Sequence, residues 1–167
     1  GDTVTMNADA TIGSVDIQGT LNTDGTARTL TLDDGGQGYI VEHRGTVSTT
    51  IDLVINSNYA GDRLIRLNNG GNGNFNNVSI TLQSTSRKLT IGTEAASING
   101  NFTIAQGEFD TDSSNNYALT VAGIVTNNAT LNANASALSV GGIRTQGTGY
   151  TGTGTITITG TGGIIEG

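Results

Sequence analysis

The stretch Ala118-Leu119-Thr120-Val121-Ala122-Gly123-Ile124 recurs nearly intact as Ala137-Leu138-Ser139-Val140-Gly141-Gly142-Ile143, a shift of 19 residues. Ile156-Thr157-Ile158-Thr159-Gly160 follows Leu138 by 18, and Phe102-Thr103-Ile104-Ala105 precedes Leu119 by 17. Each copy sets a Thr or Ser between two apolar residues. Successive side chains of an extended chain point to opposite faces, so each copy reads as a strand with one buried face. Such a unit cannot bury its apolar face alone, whereas stacked copies cover one another. The spacing is too short to hold a crossover helix between parallel strands. We therefore read an all-β chain folded as a parallel β-solenoid with coils of roughly 17–19 residues. The alternative is an antiparallel β-sandwich with hairpins at turns such as Asn69-Gly70. Near-identical repeats favour the solenoid.

The same apolar-hydroxyl-apolar unit appears along the whole chain. Examples are Val4-Thr5-Met6, Leu30-Thr31-Leu32, Ile80-Thr81-Leu82 and Leu89-Thr90-Ile91. Thr is β-branched and stiff, and suits a pleated strand. Helical spacing is not sustained anywhere. Between the strand units lie Asp24-Gly25, Asp33-Asp34-Gly35-Gly36, Asn68-Asn69-Gly70-Gly71, Asn99-Gly100-Asn101, Asn115-Asn116 and Asn127-Asn128. Asn and Gly tolerate left-handed backbone, so these read as corners, and stacked Asn or Thr side chains are expected to form ladders. No Pro interrupts main-chain pairing. We expect one domain over 1–167, less regular over 1–77 and regular over 78–167. The first half carries the most apolar run, Ile51-Asp52-Leu53-Val54-Ile55, and the charged cluster Glu42-His43-Arg44.

Composition excludes several classes of function. The 167 residues contain no Cys, so there is no disulfide framework and no Cys-based metal or redox site. Thr, Gly and Asn make up about 43% of the chain, and charged residues only 13%. Seven basic residues against 14 acidic ones give a net charge of −7. The one adjacent basic pair is Arg87-Lys88, too little for nucleic acid or an anionic membrane surface. No apolar run approaches the ~18 residues of a membrane helix. The chain opens on Gly1 and has no basic-then-apolar leader, which we read as a mature product or an excised piece. Low charge with abundant Thr, Asn and Gly points to an extracellular, cell-surface location.

A family resemblance rests on Asn101-Phe102-Thr103-Ile104-Ala105-Gln106-Gly107-Glu108-Phe109-Asp110, then Tyr117-Ala118-Leu119-Thr120-Val121-Ala122-Gly123, then Asn127-Asn128-Ala129-Thr130-Leu131. This series resembles the repeats of large bacterial surface β-solenoids: autotransporter passengers, filamentous-haemagglutinin-like adhesins and long surface fibres. The opening, Gly1-Asp2-Thr3-Val4-Thr5-Met6, is similar to the start of such proteins. The resemblance covers about two thirds of the chain. It implies export and a structural or adhesive role, and carries over no catalytic residue.

The residues assign no catalytic, cofactor or metal site. Gly70-Gly71-Asn72-Gly73-Asn74-Phe75-Asn76 partly resembles a calcium nonapeptide, but Phe75 stands where Asp is required. Asp110-Thr111-Asp112-Ser113-Ser114-Asn115 spaces oxygen ligands as calcium loops do, yet lacks the central Gly and terminal Glu. It reads as a solvated turn. His43, the single histidine, reads as a surface strand residue. A polysaccharide-degrading groove would need Glu42, Asp52, Asp62, Arg63 and Arg66 to converge, and only Tyr39, Tyr59, Tyr117 and Tyr150 offer tyrosine rings for sugars. Lys88 is the sole lysine and so the only possible donor for a Lys–Asn isopeptide. Thr153 to Thr161 is the only stretch approaching an ice-binding Thr array. Sequons at Asn77, Asn101, Asn128 and Asn134 are what chance provides in so Asn- and Thr-rich a chain.

The expected role is a structural, non-enzymatic subunit or segment of an extracellular filament. An adhesin passenger binding a glycan or host surface is the alternative, and a polysaccharide-degrading enzyme the third reading. Strand pattern runs from Val4 to Ile164-Ile165, so both ends are expected to pair with a further subunit of a homopolymer or further coils of the same chain. About nine coils would advance such a fibre by about 40 Å. Leu119, Val121, Leu138, Val140, Ile156 and Ile158 are expected inward, with Thr120, Ser139 and Thr157 outward.

Overall fold

The structure is a computed structural model and describes residues 1–33, 38–67, 74–146 and 149–160. Alternating apolar and polar residues there form β1 (Thr3–Met6), β2 (Ala10–Ile12), β3 (Val15–Ile17), β4 (Thr20–Thr23), β5 (Arg28–Leu32) and β6 (Tyr39–His43). These are followed by β7 (Thr46–Val47), β8 (Ile51–Ser57), β9 (Arg63–Arg66), β10 (Val78–Leu82), β11 (Lys88–Ile91), β12 (Ala96–Ile98) and β13 (Phe102–Gln106). The remaining strands are β14 (Glu108–Asp110), β15 (Leu119–Asn127), β16 (Thr130–Asn134), β17 (Leu138–Thr145), β18 (Gly149–Gly152) and β19 (Ile156–Ile158).

A short first sheet runs β1-β4-β7. The second runs β2-β5-β8-β10-β13-β15-β17-β19, with β12 also pairing β15, and the third runs β3-β6-β9-β11-β14-β16-β18. Every pairing among the described residues is parallel. The chain is a β-solenoid whose longest sheet stacks eight strands, one above another, and the antiparallel sandwich is excluded. No helix occurs among the described residues. Asn68–Gly73, most of the Asp33–Gly36 corner and Ile164-Ile165 lie outside those residues.

The core is built of columns. Leu30, Leu53, Val78, Phe102, Val125 and Ile143 follow one another in register through six strands of the second sheet. All six are buried. A parallel column runs Leu32-Ile55-Ile80-Ile104 and then meets Asn127 and Thr145. Asn127, read from sequence as a corner residue, is fully buried in this column. Its amide donates to Thr145 Oγ1 and to the Gly149 carbonyl, both at 3.1 Å, and its Oδ1 accepts the Ala129 N–H at 3.2 Å. A fully bonded amide is tolerated in an apolar core where an orphaned one is not.

The quoted repeat sits in register as expected. Leu119 pairs with Leu138, and Leu138 with Ile156; Val121, Val140 and Ile158 follow in the same order. Leu119, Val121, Leu138 and Val140 are buried, Ile156 and Ile158 half-buried, and Thr120 and Thr157 exposed, with Ser139 between. The 17-residue step is corrected. Phe102 pairs with Val125, and the partner of Leu119 is Ala96, an offset of 23 in each case. Coils of 18 or 19 residues hold for β15-β17-β19, whereas Val15 to Val41 spans 26. Nine coils are therefore too many. Main-chain pairing fixes the strands alone and leaves corner length free, so similar strand units need not be one coil apart.

The misleading step has a local cause. β12 and β13 are two segments of one coil, split by the Asn99-Gly100-Asn101 bend, and the single long β15 pairs with both. At that bend Gly123 N–H donates to the Gly100 carbonyl at 2.9 Å, and Gly160 N–H to the Gly141 carbonyl at 3.1 Å. A Cβ on Gly123 would lie 2.6 Å from the Gly100 oxygen, so successive coils bend together only where no side chain intervenes. The expected side-chain ladder runs beside these glycines. Asp52 Oδ1 accepts the Asn77 N–H at 3.1 Å, Asn77 Oδ1 the Asn101 N–H at 2.8 Å, and Asn101 Oδ1 the Ile124 N–H at 2.9 Å.

Candidate functional site

Among the described residues, the densest group of chemically capable side chains lies on the outer face of the third sheet. Lys88 pairs with Glu108 and Thr90 with Asp110; Glu108 pairs in turn with Thr130 and Asp110 with Asn132. Leu89, Phe109, Leu131 and Ala133 occupy the alternate, buried positions. Strand pleat therefore turns Lys88, Glu108, Asp110, Asn132 and Asn134 to one side.

Lys88 Nζ lies 2.8 Å from Asp110 Oδ2 and 3.1 Å from Glu108 Oε1. Asn132 Nδ2 donates to Glu108 Oε1 at 3.2 Å and to Asp110 Oδ2 at 3.3 Å. The other carboxylate oxygen, Asp110 Oδ1, accepts the Asp112 N–H at 2.7 Å and Asn134 Nδ2 at 2.8 Å. The Asp110 side chain is 5% exposed and that of Lys88 is 35% exposed. Burial alone pushes the Asp110 carboxyl up. The Lys88, Asn134 and Asp112 donors outweigh it and hold the group below its ordinary value. The Asp110 hydrogen bond raises Lys88 against a smaller opposing effect of burial.

The calcium candidate over Asp110 to Asn115 falls within this arrangement. Asp110 is committed to Lys88 and Asn134, while Asp112 accepts the Ser114 N–H at 2.9 Å and Asn115 Nδ2 at 2.8 Å. Residues 70–73 of the other calcium candidate lie outside the described residues, and Phe75 beside them is buried.

The five residues proposed for a polysaccharide groove do not converge. Glu42 and Arg66 are neighbours in register, joined at 4.0 Å within a strip in which Arg44 meets Glu42 and Arg66 meets Glu94, each at 2.6 Å. Asp62 accepts the Lys88 N–H at 3.1 Å. Arg63 is buried, its Nε donating to the Gly38 carbonyl at 3.2 Å and its guanidinium lying 5.2 Å from the Tyr59 ring centre. Asp52 belongs to the second sheet, where Asn76 and Asn77 bond it. Three of the sequon residues are engaged: Asn77 and Asn101 in the backbone ladder and Asn134 on Asp110. Asn128 is exposed. Of the ice-binding candidate, Thr161 lies outside the described residues and Thr159 Oγ1 donates to the Val140 carbonyl at 3.1 Å.

His43 is not a surface residue. Alternation along β6 sends Val41 and His43 inward and Glu42 outward, and His43 is fully buried, edge-on to Phe75 with ring centres 6.0 Å apart. Its Nε2 is 3.1 Å from the Gly45 carbonyl oxygen. Desolvation pushes the imidazole below its ordinary value of 6.5, opposed by the Leu67 and Gly45 backbone and by Glu94, and aided by Arg66. The unfolded chain thus binds a proton at a pH where the folded chain does not. Stability should be full above the unfolded value and fall as pH drops from about 6.5 through the folded value. Asp110 and Asp112, held below 3.8, lose their contribution only in a lower window. Urea midpoints between about pH 7 and 5 should decline in the wild type and flatten in His43→Leu.

A second feature is the outer edge of the first coil, which nothing among the described residues covers. Val4 is 61% exposed and Ile12 41%. They border a concavity of about 700 Å³ whose lining includes Met6, Ala10, Val15 and Leu21. Among the described residues β1, β2 and β3 each pair along one edge only. No family model, curated protein or solved structure matches the chain.

Proposed function

We propose that this chain is a structural length of an exported cell-surface β-solenoid fibre, continued by coil-on-coil pairing at its open end. The observation that carries the reading is the first coil, which presents apolar side chains together with strand edges that are unpaired among the described residues. An exposed edge is a template for another strand, and an apolar rim rewards covering it. The cover is a coil of the same kind, whether from a second copy or from the same polypeptide. An ion-paired outer face and a column-packed core suit a load-bearing rod.

Sedimentation velocity over a concentration series, with electron microscopy of the concentrated sample, tests this. The chain should associate into rods that lengthen with concentration. Val4→Asp with Ile12→Asp should shift the population towards monomer without lowering the thermal midpoint, because both positions are exposed in the single chain. A strictly monomeric wild type whose β1 to β3 amides are protected from hydrogen exchange would overturn the reading.

A further inference from the structure

We propose that Lys88 and Asp110 form a covalent isopeptide bond across the third sheet, joining Lys88 Nζ to Asp110 Cγ. The two residues lie on adjacent coils, and the bond would tie β11 to β14 through their side chains.

The geometry brings together the groups that amide formation uses. Lys88 is the only lysine in the chain, and its Nζ is in contact with Asp110 Oδ2 at 2.8 Å. Asp110 has its two oxygens in different surroundings. Oδ1 is held by two donors, the Asp112 N–H and the Asn134 amide, positioned to stabilise the oxyanion that develops when an amine attacks the carbon. Oδ2 faces the amine and is the oxygen that leaves. Glu108 Oε1, 3.1 Å from Nζ, is placed to take a proton from it, and Asn132 bridges Glu108 and Asp110. Register pairing of Lys88 with Glu108, two residues from Asp110 on the same face of the strand, sets these distances.

The resting state is an ion pair, an ammonium against a carboxylate. Glu108 accepts one ammonium proton and passes it to Oδ2, which makes Asp110 neutral and frees the amine lone pair. Nζ then attacks Cγ, and the oxyanion forms on Oδ1. A second proton moves from nitrogen to Oδ2, the C–Oδ2 bond breaks, and one water departs. One positive and one negative charge disappear together, so net charge is conserved and no oxidant is needed. In free solution water opposes such condensation. Holding the groups in contact speeds the attack by an effective concentration of roughly 10⁵–10⁸ M, and the intramolecular condensation releases a water without the loss of association entropy that opposes it in free solution. The one-third exposure of Lys88 leaves a path for the water to escape.

Intact-mass spectrometry of the purified chain reads the result directly. A mass about 18 Da below that of the sequence is expected, one water per bond formed. Trypsin should fail to cut after Lys88, and fragmentation should find a branched peptide linking Lys88 to Asp110. Lys88→Arg keeps the cation and should restore the full mass while still melting cooperatively. Glu108→Gln should slow bond formation at least tenfold, and an unchanged rate would overturn the role given to Glu108. A wild-type chain that holds its full mass after days at neutral and mildly alkaline pH would overturn the proposal. So would a loss of the same size that survives in Lys88→Arg.

Discussion

Val140→Asp is expected to unfold the chain at room temperature or to cost about 4 kcal/mol or more, while Ser139→Asp costs under about 1 kcal/mol. The two positions are adjacent but lie on opposite faces of β17. Val140 is fully buried between Val121 and Ile158, with aliphatic side chains above and below it in the column. A carboxylate there has no donor to meet and must either remain charged in an apolar stack or take up a proton. Ser139 lies between Thr120 and Thr157 on the outer face, where a carboxylate keeps its water. Thermal melts of both variants test the register directly. Equal shifts would mean that the strand face is wrongly assigned.

Phe102→Ala should be the most damaging truncation, at about 3–5 kcal/mol. Phe102 occupies the middle of the six-residue column between Val78 and Val125, with no exposure. It also meets Phe109 edge-to-face, with ring centres 4.9 Å apart, and so links the second sheet to the third. Main-chain pairing above and below holds the strands in place, so the walls of the hole have little freedom to close. The cost should lie towards the upper end of the range and appear in the denaturant midpoint with an unchanged slope. A change under 1 kcal/mol would show that the column relaxes far more than its pairing suggests.

Strand identity and facing were legible because a period of two is local: Leu119, Thr120 and Val121 declare their faces without help from elsewhere. Stacking distance was not. Corners differ in length without disturbing the ladder, so the coil joining Phe102 to Val125 could not be separated by spacing from the shorter interval between Phe102 and Leu119. The Lys88 cluster was hidden for the same reason. In the sequence Lys88 and Asp110 suggest different chemistries, but their meeting depends on the Lys88–Glu108 register, and Asn132 and Asn134 enter through a further coil. The alternation in Glu108-Phe109-Asp110 was the available signal, as it places both carboxylates on one face. The charges that flank His43 suggest exposure in the sequence, whereas Glu42 and Arg44 point away from the core on either side of a buried ring.

Unequal coils also give the rod a mechanical character. Every coil adds the same rise of about 4.8 Å, whatever number of residues its corners hold. Hydrogen bonds between coils run along the axis, so tension applied end to end peels coils away singly instead of shearing all of them at once. A 23-residue coil such as Leu30 to Leu53 would release roughly 75 Å of extended chain on detaching, many times the length it occupied when folded. A solenoid built this way resists by yielding in instalments. Each step is set by the size of the coil released, and each leaves the neighbouring coil intact and able to recapture the loosened chain.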